Sequence, residues 1–314
     1  MADELEEVGC NFCGSSEARK IGRVKVEPKF QDIFSRAELD IVKCKKCGLA
    51  YTSPRPTDAT LKVYYERCYS DVGSKDPLEE MRSNKETMLC GGGYTTYDTR
   101  YTGWLLGVIT RLAGRKGRLL DIGFGEGQFV RFASANGWSV SGQEVSEEAV
   151  EHIKKAYGLD VKAGDLRELR LPSESFEAVT MINVIEHLSD PIGYLKEAHR
   201  ILKKGGVLYI STVNAHTSRR PVELVIPEHL YHFSAEAIGK MLRKSGFEVL
   251  ELTTRNHRDL EMNTEILRDS LQARKPVATF LAFKRLFEAA FGICIGIRGL
   301  PFDGGPRITA FARK

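Results

Sequence analysis

Long apolar runs are missing from this 314-residue chain. No stretch of about 18 uninterrupted apolar residues occurs, so a transmembrane helix is not expected. A strong charge of one sign is missing too: 46 Lys and Arg face 42 Asp and Glu, a formal net charge of +4. That is far from the concentrated basicity of a dedicated nucleic-acid binder. The opening stretch Met1 to Glu7 is acidic and has neither the basic nor the apolar region of a secretory leader, which makes a cytoplasmic location the expectation. In a reducing compartment the seven cysteines are read as metal ligands or buried thiols before disulfides. With 42% hydrophobic and 28% charged residues, the chain can bury one large core and carry a small accessory module.

Four of the cysteines are spaced as ligands. Cys10-Asn11-Phe12-Cys13 and Cys44-Lys45-Lys46-Cys47 are two C-x2-C pairs with 30 residues between them, each followed by a glycine, Gly14 and Gly48. Two such knuckles complete a tetrahedral all-cysteine zinc site, and four protein ligands leave no open position, so the predicted role is structural. The long interval implies a hairpin with an extended loop around Val24 to Phe34. Cys68, Cys90 and Cys294 lack metal spacing and read as ordinary thiols. Residues 1–50 hold nine Lys/Arg against nine Asp/Glu, and zinc with four thiolates adds two negative charges. This module therefore has no electrostatic footprint for phosphate.

From Tyr51 to Arg100 the chain is polar, with turn signals at Pro54-Arg55-Pro56, Asp76-Pro77 and Gly91-Gly92-Gly93. It reads as a connector with a short helix near Leu61 to Arg67, and Tyr94, Tyr97 and Tyr101 are candidates to line a cleft or to lie in solvated loop. Beyond it, Gly117 to Ile122 is a short apolar strand. It runs into Gly123-Phe124-Gly125-Glu126-Gly127 and then a helical stretch from Gln128 to Asn136. Strand, glycine turn, helix is the entry to a nucleotide site, where glycines let the backbone approach a ligand and the helix N-terminus offers free amides. A dinucleotide fingerprint needs a third glycine at Gln128. The spacing here is G-x-G-x-G behind an acid, Asp121, which would repel a pyrophosphate but suits the cationic sulfonium and ammonium of S-adenosylmethionine.

Further strands deliver a polar residue to the same sheet edge. Ser139 to Glu144 ends in a carboxylate placed to accept both ribose hydroxyls. Ala163-Gly164-Asp165-Leu166 places Asp165 for an adenine amino group and the Leu166 amide against the ring. Phe176 to Ile182 runs into Asn183-Val184-Ile185-Glu186-His187. The stretch Leu119 to Phe311 resembles a class I S-adenosylmethionine-dependent methyltransferase. With Cys10 to Cys47, Tyr51-Thr52-Ser53-Pro54-Arg55-Pro56, Glu186-His187 and Glu228-His229-Leu230-Tyr231-His232-Phe233-Ser234 added, nearly the whole chain resembles bacterial zinc-ribbon methyltransferases of surface-polysaccharide, nucleotide-sugar or natural-product pathways. The resemblance implies an α/β fold with a Rossmann-like seven-stranded sheet, a small N-terminal zinc ribbon and a helical insertion before the last strand. It further implies that Gly123, Gly125 and Gly127 cradle methionine and ribose, Glu144 holds the ribose, Asp165 and Leu166 meet adenine, and Asn183 borders the methionine end.

Methyl transfer is an in-line displacement at an activated carbon, so alignment supplies much of the rate, and a base is needed only when the acceptor must lose a proton. Histidine is the natural base at neutral pH. His187, after the fourth strand, and His229 and His232, between the fifth strand (Val207 to Val213) and a helix from Ser234, are the candidates; local packing is the competing reading of each. The stretch after the fourth strand lacks the Asp/Asn-Pro-Pro-Tyr/Phe pattern, which argues against methylation of nucleic-acid base amines.

Phe247 to Leu252 and Arg307 to Ala312 read as the last two strands, with roughly 50 residues between them. Val277 to Ile297 is rich in Phe, Leu and Ile with Lys284 and Arg285 interspersed, and Arg255 to Lys314 holds 11 basic against 6 acidic residues. Such a segment suits a peripheral contact with an anionic inner-membrane surface or a lipid-linked acceptor; packing or dimerisation explains the same pattern. The expected division is therefore 1–55 zinc ribbon, 56–115 connector, and 116–314 methyltransferase domain with a helical insertion at 256–305. The expected reaction is methyl transfer to a sugar, nucleotide-sugar or glycolipid hydroxyl or carbon. The alternatives are an RNA methyltransferase gripping RNA with its ribbon and a partner protein without turnover.

Overall fold

A computed structural model of the chain describes residues 5–69, 87–88, 94–95, 99–215, 227–254 and 307–314. The insertion 256–305, with its 277–297 segment, and the side chains of Tyr94, Tyr97, Cys68, Cys90 and Cys294 lie outside the described residues. Among the described residues no helix is long and apolar enough to cross a membrane.

The centre is a seven-stranded sheet. Its strands are β8 (Arg118–Ile122), β9 (Ser139–Glu144), β10 (Asp160–Ala163), β11 (Phe176–Ile182), β12 (Leu202–Val213), β14 (Glu248–Thr253) and β15 (Arg307–Arg313), in the spatial order β10-β9-β8-β11-β12-β15-β14. All neighbours run parallel except at β15, which is antiparallel to both β12 and β14. β11 is nearly all apolar because both its faces are covered, as a central parallel strand requires. Its one carboxylate, Glu177, is held by Arg115, Lys203 and the Arg118 amide at the strand's start.

Helices cover both faces, and their ends are set by local chemistry. α5 (Glu147–Tyr157) begins where the Ser146 hydroxyl accepts from the Ala149 amide and ends at the left-handed Gly158. α6 (Pro191–Ile201) and α7 (Ala235–Lys244) are capped by Asp190 and Ser234. α4 (Gln128–Ala135) has Gly127 at its start and no side-chain cap, so its first amides face the turn unsatisfied by side chains. α3 (Thr99–Ala113) packs ahead of β8.

The N-terminal module is a second sheet, with β2 (Ala18–Lys25), β3 (Glu38–Cys44) and β4 (Ala50–Thr52) antiparallel in sequence order. Two short pairs flank these units: β1 (Leu5–Glu6) with β5 (Arg55–Pro56), and β6 (Thr87–Met88) with β7 (Tyr94–Thr95). Two findings differ from the sequence expectation. The interval around Val24 to Phe34 is not an open loop: a 3-10 turn at Pro28–Phe30 leads into α1 (Gln31–Phe34), and Val26, Phe30, Ile33 and Phe34 are buried. The apolar side chains close on Tyr64 of α2 (Asp58–Tyr69), with Phe30 and Phe34 ring centroids 4.7 and 5.3 Å away. Secondly, the sheet of the module takes in a strand from much later in the chain. Its fourth strand is β13 (Tyr231–His232), which lies in sequence between β12 and α7 and pairs with Ala50 and Tyr51.

Phe34 is fully buried in this contact. Phe34→Ala should cost about 3–5 kcal/mol of unfolding free energy in a denaturant titration; a loss below about 1 kcal/mol would mean that α1 is not packed as described.

Candidate functional site

The carboxyl ends of β8, β9 and β11 converge on the glycine turn. Gly123, Gly125 and Gly127 all have positive φ (67°, 55° and 78°), a conformation open to glycine and strained for other residues. A Cβ on Gly123 would lie 2.5 Å from Val184 Cγ2, and one on Gly127 would lie 2.4 Å from Ile153 Cδ1. The turn thus has room for backbone alone.

Two buried carboxylates flank it. Asp121 accepts from the Thr180 hydroxyl at 2.5 Å, and burial pushes its pKa up to about 7, against the Thr180 hydrogen bond and reinforced by the nearby Glu144 charge. Glu144 accepts from the amides of Gly125 (3.0 Å), Val145 (2.7 Å) and Ser146 (3.4 Å), yet its pKa is also raised, because burial outweighs those bonds. Neither carboxylate has an ion-pair partner among the described residues. Asn183, in the left-handed region at φ 55°, receives a 2.8 Å hydrogen bond on Oδ1 from Arg307 of β15.

The expected adenine contacts are arranged differently. Asp165 is engaged by Arg167 through its Nε, Nη2 and backbone amide, and Arg167 also reaches Asp190 at 2.8 Å. The Leu166 side chain is fully buried, and its backbone lies against the Tyr194 hydroxyl. Gln143, which no sequence signal singled out, donates to the Gly164 carbonyl at 2.6 Å and fixes this loop.

Of the three histidines, two come together. His187 and His229 have ring centroids 4.8 Å apart, and with Glu186 their ligand-capable atoms all lie within 4.8 Å of one another. Burial lowers the pKa of His187 to about 4 and raises that of Glu186 to about 7. His232 does not join them: it sits in β13, 4% exposed, with Nε2 3.2 Å from the Thr52 hydroxyl, so it serves the junction with the N-terminal sheet. Sequence reading gave Glu228 no role beyond its motif and missed Tyr64. Glu228 is buried and accepts from the Tyr64 hydroxyl at 2.7 Å, while burial lifts its pKa to about 7. The recurring Glu-His pair at 186–187 and 228–229 is the one signal that could have joined these segments.

The four expected metal ligands are also assembled. Cys10, Cys13, Cys44 and Cys47 place their sulfurs within 4.8 Å of one another, with Cys10–Cys47 at 3.4 Å and Cys13–Cys44 at 3.6 Å. Matching backbone bonds shape the two turns, Gly14 N to Cys10 O and Gly48 N to Cys44 O, and both glycines have positive φ.

Residues 97–252 match a family model described as a methyltransferase domain. A Mycolicibacterium smegmatis protein named "Probable S-adenosylmethionine-dependent methyltransferase" is 34% identical over 141 residues, 44% of this chain and 54% of the relative. The 27-O-demethylrifamycin SV methyltransferase of Amycolatopsis mediterranei is 37% identical over 118 residues, 35% and 43% of the two chains. A ubiquinone biosynthesis O-methyltransferase of Thiobacillus denitrificans is 28% identical over 193 residues, 55% and 80%. The chain spans about half the length of the first curated relatives it matches. Among solved structures the fold is similar to the [4+2]-cyclase SpnF, with TM-score 0.52 at 22% identity, covering 83% of this chain and 98% of that one. It is also similar to a phospholethanolamine N-methyltransferase 2 of Haemonchus contortus, with TM-score 0.52 at 20% identity, covering 82% and 61%.

The Asp121 carboxyl gives a pH test. Because its folded-state pKa is raised, the stabilisation it lends the fold is complete below the unfolded value near 4 and is lost as pH climbs through about 7. Asp121→Asn should therefore be more stable than the parent at pH 8, by on the order of a few kcal/mol, with the gain shrinking toward pH 4 in parallel urea titrations. A gain independent of pH would refute the buried-charge account.

Proposed function

We propose that the chain, whose residues 97–252 match a methyltransferase domain, transfers the methyl group of S-adenosylmethionine to a small-molecule acceptor, an oxygen of a sugar, nucleotide-sugar or glycolipid. The observation that carries the reading is the pair of buried carboxylates, Asp121 and Glu144, set without a cationic partner among the described residues around three positive-φ glycines, two of which, Gly123 and Gly127, have no room for a side chain. Uncompensated buried negative charge is costly, and a ligand bearing a sulfonium, an ammonium and two ribose hydroxyls relieves that cost. When bound, it supplies a methyl carbon already activated by positive sulfur.

The chain's own residues do the rest. Glu144 is fixed by amide donors and keeps lone pairs for hydroxyls. The uncapped start of α4 offers amide hydrogens, and the Arg307 bond to Asn183 sets the methionine end of the cleft. Where the acceptor must lose a proton, the Glu186, His187 and His229 group is the one placed to promote that loss. Oxygen as the acceptor atom is supported by the printed names of two relatives, the ubiquinone-biosynthesis enzyme and the 27-O-demethylrifamycin enzyme. The balanced charge of residues 1–50 favours a small acceptor over RNA.

We further propose that the cysteine cluster holds structural zinc. The sulfurs around a tetrahedral ion with zinc–sulfur bonds near 2.3 Å stand about 3.8 Å apart, close to the 3.4 and 3.6 Å separations found. A cytoplasmic setting, with the 277–297 segment touching a membrane or packing against a second copy, completes the proposal.

Incubation of the purified chain with methyl-labelled S-adenosylmethionine and fractionated lysate tests the main reading. Label is expected in polar sugar or lipid pools, whereas RNase-sensitive label would overturn the small-acceptor assignment. Glu144→Gln should weaken cofactor binding about tenfold or more, the worth of hydrogen bonds to a charged acceptor; unchanged affinity would remove Glu144 from the site. Metal analysis should find one zinc per chain, and chelation should lower the unfolding temperature of the whole protein, not only of residues 5–56; a chain without zinc and insensitive to chelators would contradict the structural site.

A further inference from the structure

Glu186, His187 and His229 form a group that cofactor binding does not use. One carboxylate and two imidazoles from separate chain segments bring their ligand atoms within 4.8 Å. Glu186 is 1% exposed, and among the described residues neither of its oxygens has a partner in good hydrogen-bond geometry. The Thr212 hydroxyl and the backbone amides of Glu186 and Val213 lie close enough to favour the carboxylate without forming a well-shaped hydrogen bond to it, and Arg307, whose charge also reaches it, donates to Asn183. A fully buried carboxyl with so little compensation is an expensive arrangement unless something enters.

The histidine side is prepared in the manner of a metal ligand. His187 Nδ1 sits 3.2 Å from the Glu228 carbonyl oxygen. A carbonyl only accepts, so Nδ1 carries the hydrogen and Nε2 keeps its lone pair, the usual outer-shell arrangement around ligating histidines. The residue supplying that carbonyl is adjacent to His229, so one short segment fixes one ligand and furnishes another. That segment is itself held to the first, because the Glu186 carbonyl accepts from the amides of Leu230 (2.8 Å) and Tyr231 (3.1 Å). The three donors are thus locked to one another by backbone bonds, with Tyr65 packed edge-on to His187.

We propose that Glu186, His187 and His229 bind a first-row divalent cation whose open positions take an oxygen of the methyl acceptor. Two imidazoles and one carboxylate suit zinc, iron(II), cobalt or manganese rather than magnesium or calcium, and three protein ligands leave positions free. Ligand bonds of 2.0–2.2 Å place the donor atoms of a tetrahedral site about 3.3–3.6 Å apart, within the 4.8 Å bound that the three atoms already meet. This inference rests on the methyltransferase reading. The cation would acidify the acceptor hydroxyl; its proton passes to water, and the oxygen takes the methyl group as the carbon–sulfur bond breaks with its electron pair left on sulfur. His187 and His229 then act as ligands, not as bases.

The probe is cobalt(II), added to the full chain with zinc already in the cysteine site. One equivalent should bind and show weak visible bands without a sulfur-to-metal charge-transfer band. Glu186→Gln and His229→Ala should each weaken cobalt binding at least a hundredfold, about the upper loss seen when mere outer-shell partners of a metal are removed. Both should still bind S-adenosylmethionine within about twofold of the parent, which certifies the fold. Absence of a second cobalt site, equal uptake by the variants, or only a near-ultraviolet thiolate band would each overturn the proposal. Parent protein that takes up cobalt but does not bind S-adenosylmethionine would sink the methyltransferase reading and leave the cation site standing.

Discussion

The backbone pairing of residues 50–52 with 230–232 is the junction on which the rest of the arrangement depends. Tyr51 opposes Tyr231, Ala50 opposes His232, and the Thr52 amide donates to the Leu230 carbonyl. The Thr52 hydroxyl reaches both the His229 carbonyl and His232 Nε2. Two residues along each strand could not hold two units together alone. Here they are supported by Arg55 on the Ser189 carbonyl, and by Asn11, which donates to Asp190 and accepts from the Ile192 amide. The cysteine turns therefore stand one strand away from the segment that carries Glu228 and His229. Metal in the cysteine cluster would stiffen β3 and β4, and through them the position of His229, without touching any ligand of the large sheet.

A second constraint is the cost of charge at the sheet edge. Asp121, Glu144, Glu186 and Glu228 are all at least 94% buried, and burial raises the pKa of each. Elsewhere the same chain pairs its buried acid: Glu177 has a guanidinium, an ammonium and an amide, and its pKa falls to about 2. The contrast is physical: among the described residues Glu177 has cationic partners and these four carboxylates have none in an ion pair, a pattern that makes them candidates for ligand contact.

What was legible in the sequence was local. The glycine turn, the acids ending β8 and β9, the apolar β11 and the two C-x2-C knuckles each declare themselves within a dozen residues. For that reason their elements appear close to the expected positions. What was not legible depends on partners far apart in the chain. β13 is too short to read as a strand until Ala50 and Tyr51 lie beside it. Phe30 and Phe34 read as loop because Tyr64 is out of view, and Asn183 gives no sign of Arg307. His232 was grouped with the other histidines because their segments were expected at the ligand edge of the sheet, and its contact with Thr52 depends on a strand 180 residues away. Asp165 was expected to meet adenine, and its bonds to Arg167, two residues on, were not foreseen beside that role.

The central claim is that the edge built by Asp121, Gly123, Gly125, Gly127 and Glu144 is a site for S-adenosylmethionine. Calorimetric titration of the purified chain with S-adenosylmethionine, and in parallel with NAD, tests it most directly. The account predicts one site per chain for S-adenosylmethionine and no saturable binding of the dinucleotide, whose pyrophosphate the two carboxylates would repel. Saturable binding of NAD, or no binding of S-adenosylmethionine by folded protein, would contradict it.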